Sequence, residues 1–201
     1  MPNYHDEIWR QVPSDPDRDR PGSDVRLALL GRLASPGETV LDAGCGDGAD
    51  LPAIEALGAT PVGLDPSGVA LERARERGPY ELVQAGDRGP WPLADGRFDG
   101  VWVAEVLSQI QDTSGVLEGI RRVLRPGGWL GITVPAHGRR DAAALLLRGF
   151  ESMHHPTDTT VRRYTPTSLT TVLTDHGFTI ERLDVTQADG SRILTCHALR
   201  P

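Results

Sequence analysis

Thr39-Val40-Leu41-Asp42-Ala43-Gly44-Cys45-Gly46-Asp47-Gly48 says more about this chain than any other segment, because a short apolar run meets an acid and then three glycines at alternate positions. Glycine lacks a Cβ and tolerates positive φ, so such a turn lets a ligand approach the backbone. It is expected to present bare N–H groups and the mouth of the following helix. Strand, glycine turn and helix in that order point to a nucleotide-like cofactor.

Moving outward, periodicity predicts a helix over 23–33 with Leu27, Leu30 and Leu33 inward, a strand over 39–42, a helix over 48–57 and a strand over 61–64. A helix over 68–77 and a strand over 80–84 follow, then a strand over 98–103, a helix over 113–124 and a strand over 129–134. The repeated strand–helix pattern predicts an α/β fold: a Rossmann-like, mainly parallel sheet with helices on both faces. Past residue 135 the pattern weakens into an Arg- and His-rich stretch, then a helix over 166–176. Strands over 178–186 and 192–199, joined by Ala188-Asp189-Gly190-Ser191, complete seven strands with a C-terminal antiparallel hairpin.

Composition narrows the function. A chain of 201 residues suits one domain, 1–201, able to bury about 70 % of its unfolded surface. No apolar run reaches the ~20 residues that span a bilayer, and the first twenty residues lack the apolar core of a signal peptide, so no membrane partner and a cytoplasmic location are expected. A net charge of -7 argues against a nucleic-acid partner. All 21 basic residues are arginine, which excludes a lysine Schiff base and with it pyridoxal phosphate chemistry. Cys45 and Cys196 have neither disulfide-framework nor zinc spacing, and no metal is expected; Cys45 reads as a small residue filling a cramped turn in preference to a nucleophile.

Gly44-x-Gly46-x-x-Ala49 also satisfies the dinucleotide fingerprint, with Asp65 close to where a ribose-binding acid belongs, so the glycines alone leave an NAD-dependent oxidoreductase open. Further segments extend the pattern: Gly63-Leu64-Asp65-Pro66-Ser67, Ala85-Gly86-Asp87, Trp91-Pro92-Leu93 through Glu105-Val106-Leu107, and Arg125-Pro126-Gly127-Gly128. With the glycine turn they make five motifs in order, and the chain resembles the class I S-adenosylmethionine-dependent methyltransferases, in particular those acting on small molecules.

The resemblance implies S-adenosylmethionine as cofactor and a binding set of Asp42, Gly44, Cys45, Gly46, Asp65, Pro66, Asp87, Arg88, Ala104 and Glu105. In it Asp65 accepts the ribose hydroxyls, Asp87 the adenine amino group, Arg88 offers a backbone N–H to the ring, and the Ala104 carbonyl meets the ammonium. The physics agrees. The cofactor carries an ammonium and a sulfonium but no phosphate, so its pocket favours carboxylates and carbonyls over basic side chains. Taken singly, Asp42 also suits a turn cap, Asp65 a helix start, and Glu105 a cap of the following turn.

Methyl transfer is a one-step displacement that needs alignment and exclusion of water, and a base only where the acceptor must lose a proton. Related enzymes carry a histidine in a segment resembling Glu-Val-Leu-Glu-His, where this chain reads Glu105-Val106-Leu107-Ser108-Gln109. That base position is empty. Base candidates fall to His137, His154 and His155 in the variable segment 135–163, which is expected to shape the acceptor site. Residues 1–20 read as an N-terminal lid whose Tyr4 and Trp9 face the cofactor or acceptor, or else pack on a neighbouring helix, and Tyr164 reads as facing the acceptor pocket or as an aromatic packing anchor. The expected function is methyl transfer to an oxygen or nitrogen of a small organic acceptor. An S-adenosylmethionine-binding protein without transferase activity, a sensor or supporting subunit, is the alternative; monomer and homodimer both stay open.

Overall fold

The computed structural model describes residues 3–13, 22–86, 90–136, 152–154, 160–188 and 190–201. In chain order the elements are α1 (Tyr4–Gln11), α2 (Ser23–Leu33), β1 (Thr39–Ala43), α3 (Leu51–Ala56), β2 (Thr60–Asp65), α4 (Gly68–Arg75), β3 (Glu81–Gln84) and β4 (Phe98–Ala104). They continue with α5 (Thr113–Val123), β5 (Leu124–Pro135), β6 (Ser152–His154), β7 (Thr160–Arg162), α6 (Pro166–Asp175), β8 (Thr179–Ala188) and β9 (Ser191–Leu199).

Seven strands form one sheet in the order β3-β2-β1-β4-β5-β9-β8. The first five run parallel, with Val40 beside Pro61 on one side of β1 and beside Gly100 on the other. β9 then runs antiparallel to both β5 and β8. The Rossmann-like sheet with a C-terminal hairpin is as the sequence predicts. Strand order reverses direction between β1 and β4, and in open α/β sheets such a reversal leaves a crevice at the carboxyl ends of the strands.

Alternation along the strands divides the core. Leu41, Val101 and Val103 face one side, where they join Leu117, Ile120 and Leu173, while Val40 and Trp102 face the other with Leu30 and Ile54. α5 reaches the first layer through Val116, Leu117, Ile120 and Val123, a single helical face, and starts where the Asp112 side chain accepts the Gly115 N–H. α6 starts on a reciprocal cap in which Thr165 and Ser168 each bond the other's backbone.

Several expectations are corrected. The helix after the glycine turn is Leu51–Ala56, not 48–57, because Gly48 sits at φ +73° and Pro52 lies in the first turn. Leu27 is 42 % exposed; α2 buries Arg26, Leu29 and Leu30 instead. β5 begins at Leu124, not at 129, and runs through the Arg125–Gly128 segment, with a bulge between Phe98 and Gly100 absorbing the extra residues. α1 and the short β6–β7 pair have no counterpart among the predicted elements.

Candidate functional site

At the crevice between β1 and β4 lies a hollow of about 300 Å³, lined on the sheet side by Gly44, Cys45, Gly46, Asp65, Pro66, Ala104, Glu105 and Val106. Tyr4, His5, Ile8, Trp9 and Val12 of α1 and its C-terminal cap close it from the other side, with Gln109 and Ile110 at the end. A smaller, largely apolar slot of about 40 Å³ shares His5, Gly44, Pro66, Val106 and Ile110 with it and is completed by Leu64, Ala85, Gly86, Trp91 and Val116. Together they make one hollow with an apolar end and a carboxylate-bearing end.

The glycine turn behaves differently from its sequence expectation. Leu64 C=O accepts from the N–H of both Gly44 (2.7 Å) and Cys45 (3.0 Å), the Asp65 carboxylate accepts from Gly46 N–H (2.9 Å), and Cys45 C=O accepts from Gly48 N–H (2.9 Å). These four donors are consumed internally, so the turn does not offer them as bare N–H groups. What it offers is close approach. Gly44 stands at φ +83° and Gly46 at φ +55°, and a Cβ on Gly46 would lie 2.6 Å from the Trp9 ring.

Asp65, at the end of β2, is buried and bridges the turn to α4: one oxygen takes Gly46 N–H and the other Ser67 N–H at 2.8 Å. Burial pushes its carboxyl above the usual carboxylate value, while those two N–H groups and His5 favour the ionised form. Each oxygen keeps a lone pair for a ligand hydroxyl.

Glu105 is the one non-glycine residue at positive φ (61°) among the described residues. Its backbone is fully committed: its N–H donates to Thr133 C=O at 2.9 Å, and its carbonyl accepts from Ser108 Oγ and Gln109 Nε2, each at 2.9 Å. Burial pushes its carboxyl above the usual range, opposed by the neighbouring Thr133 side chain and the Arg26 guanidinium. Gln109, at the vacated histidine position, is therefore a strut under Glu105.

α1 is docked by polar contacts. Asn3 caps it by accepting the His5 N–H and donates to Pro66 C=O. Asp6 accepts from Ser67 Oγ at 2.7 Å and from Val69 N–H at 3.2 Å, placing a negative charge at the start of α4, and these bonds hold its carboxyl below the usual value. Arg73 lies 5.8 Å over the Trp9 ring and donates to Val12 C=O.

Among the predicted site residues, Gly44, Cys45, Gly46, Asp65, Pro66, Ala104, Glu105, Tyr4 and Trp9 converge on the hollow. Asp42 is buried beneath the turn, paired across the ladder with Gly63 and Trp102, and is not part of the lining. The Cys45 thiol lines the hollow, yet burial and then Asp42 and Asp65 push it well above the ordinary thiol value, which fits a filler and not a nucleophile. Of the two readings of Tyr164, acceptor contact or packing anchor, its 6 % exposure and the hydroxyl it donates to Leu107 C=O match the packing anchor. Asp87, Arg88, His137 and His155 lie outside the described residues, and His154 is placed only as the end of β6. Asn3 and Asp6, whose i,i+3 spacing at a helix start is a signal, and Arg26, an arginine sharing a helical face with Leu29 and Leu30, stand outside the expected site set. Arg26 is buried, 3.2 Å from Asp50, which also accepts from Trp102 Nε1 at 2.9 Å.

A sequence profile of the family described as "Methyltransferase domain" matches residues 14–183. The malonyl-[acyl-carrier protein] O-methyltransferase of Pseudescherichia vulneris is 35 % identical over 119 residues, covering 59 % of this chain and 47 % of that protein. The chain spans about half the length of such curated relatives. In structure it is similar to a chain of the complex between the Haloferax volcanii Trm112 methyltransferase activator and a methyltransferase (TM-score 0.77, 19 % identity, 100 % of this chain and 99 % of that one). It is also similar to Burkholderia thailandensis 1,6-didemethyltoxoflavin-N1-methyltransferase, solved with 1,6-didemethyltoxoflavin and S-adenosylhomocysteine (TM-score 0.68, 22 % identity, 98 % and 84 % coverage).

Proposed function

Since the chain belongs to the methyltransferase-domain family, we propose that its hollow binds S-adenosylmethionine and that it transfers the methyl group to an oxygen or nitrogen of a small organic acceptor. The observation that carries this over a nicotinamide cofactor is the fate of the turn's donors. A dinucleotide pyrophosphate needs free N–H groups at the glycine turn, and those of Gly44, Cys45, Gly46 and Gly48 are bonded within the protein. The charged groups on the wall, apart from the titratable His5, are the carboxylates Asp65 and Glu105, and no arginine lines it among the described residues. That suits a cationic, phosphate-free cofactor.

When bound, S-adenosylmethionine supplies an electrophilic methyl on a sulfonium. This chain's residues do the rest: Asp65 holds ribose hydroxyls, the apolar slot of Leu64, Ala85 and Val106 takes the flat base, and the glycine turn admits the amino-acid end. α1 acts as the lid that excludes water, with Trp9 and Tyr4 turned toward the acceptor. Asp87 and Arg88 are proposed at the base's edge, and a proton leaving an acceptor would pass to His137, His154 or His155.

Titration calorimetry with S-adenosylhomocysteine tests the reading. Micromolar binding at one site per chain, lost in Asp65→Ala, is expected; an absence of heat with wild type, or an equal response to NADH, would end it.

A further inference from the structure

The two edges of the seven-stranded sheet differ. β3 makes one edge with four residues, and its side chains are engaged: the Arg97 guanidinium donates to both oxygens of Glu81, at 2.9 and 2.5 Å, and Gln84 donates back to Pro66 C=O. A short edge of this kind offers little to another strand. β8 makes the other edge with ten residues. β9 pairs it on one side, and among the described residues no strand pairs it on the other, so a row of backbone N–H and C=O groups stays open.

The side chains of β8 sort by face. Leu183, opposite Cys196, and Val185, opposite Leu194, lie on the side of the first core layer. Leu183, Ile180 and Val172 of α6 are half-buried against that layer, and Val185 is 39 % exposed, so the layer reaches solvent at the β8 edge. Arg182 and Asp184 lie on the opposite side and pair with each other at 2.5 Å. Charges ordinarily protect an edge by repelling a second strand. Here the two signs flank one leucine, and that order is self-complementary. A two-fold axis through Leu183 sets a second copy antiparallel, with Leu183 against its own counterpart, Arg182 against the copy's Asp184, and Asp184 against the copy's Arg182. An axis through Arg182 or Asp184 instead opposes two like charges, which is destabilising.

We propose that β8 is the edge along which two copies of this chain join, antiparallel about Leu183, so that one sheet and one apolar layer run through both. The occupant is a second copy because the charge order of the strand matches itself in this register. The β8–β9 register slips between Ile180 and Arg182, which keeps the regular contact short and the affinity modest. β5 and β9 separate β8 from the β1–β4 crevice, so pairing leaves donor binding unchanged, and the proposal stands or falls apart from the proposed function.

Sedimentation of the full chain should give a dimer with a dissociation constant on the order of 10 µM. Arg182→Glu opposes like charges on both sides of the axis and should weaken the dimer about tenfold or more. Arg182→Asp combined with Asp184→Arg swaps the pair and should restore it. Cys45 and Cys196 are buried, so under mild oxidation Leu183→Cys should cross-link to itself where wild type does not. Thr186→Cys, three positions past the axis and hence about 20 Å from its counterpart, should not cross-link. A chain that stays monomeric at about 100 µM overturns the proposal. So does a dimer indifferent to Arg182→Glu, a swapped pair that does not restore it, or a Leu183→Cys variant that cross-links no faster than Thr186→Cys.

Discussion

The two walls of the hollow are built on different physics. On the sheet wall, every feature hangs from buried parallel strands: Ala43, Asp65 and Ala104 end β1, β2 and β4, and the turn after β1 is tied to Leu64 and Asp65 by three backbone N–H groups. The opposite wall is α1, eight residues of which none is buried, held by the side chains of Asn3, Asp6 and Arg73 and by the Trp9 ring on Gly46. A wall made by the core is present whether or not a ligand is; a wall made by a few polar contacts can leave and return. On the proposed function, cofactor recognition falls to the first wall and access to the second.

The comparison breaks if the sheet wall proves dispensable. Asp65→Ala removes the proposed ribose acceptor and also leaves the N–H groups of Gly46 and Ser67 unpaired, so donor affinity should fall by about 100-fold or more in calorimetry, with the melting temperature lowered as well. Trp9→Ala acts on the other wall: donor affinity should fall about tenfold, while the melting temperature moves by less than about 2 °C because α1 buries nothing of its own. Hydrogen exchange of α1 should rise without a change in β1 or β4. A large loss of global stability in Trp9→Ala would make the lid part of the core.

Acid should separate the walls again. The Asp6 carboxyl is depressed in the folded protein, so its contribution is present above the ordinary value of 3.8 and is lost as pH falls through the lower folded value. α1 exchange protection should decline in that window, and Asp6→Asn should abolish the dependence. For Glu105 the sign refers to binding: burial raises its carboxyl in the free protein, and the proposed donor is cationic and would lower it, so donor affinity should drop several-fold as pH falls through the free-protein value. Glu105→Gln should flatten that profile. The smallest effect is expected from Cys45 and Cys196, both buried and both raised, Cys196 to about 12: neither should react with a thiol reagent before unfolding.

The division also explains what was legible in the sequence. The sheet wall could be read because strand, glycine turn and terminal acid follow one another in a fixed order, and Gly44, Gly46, Asp65 and Ala104, picked out from that order, all line one hollow. The turn's hydrogen-bond economy could not, because the acceptor for Gly44 and Cys45 is a backbone carbonyl on β2, invisible to side-chain patterns. Leu27 misled because a leucine at helical spacing was ranked above Arg26, whose burial depends on an aspartate 24 residues away. α1 is only eight residues long, and although Tyr4, Ile8 and Val12 recur at helical spacing, its docking depends on Ser67 and Pro66, some sixty residues distant in sequence.

On the proposed function, one hollow at the β1–β4 crevice takes an adenosine bearing an amino acid. A co-crystal with S-adenosylhomocysteine tests it most directly. Ribose hydroxyls are expected on Asp65, the adenine in the slot lined by Leu64, Ala85, Val106 and Ile110, and the amino-acid end against the glycine turn. A ligand bound elsewhere, or one whose ribose turns away from Asp65, would contradict it.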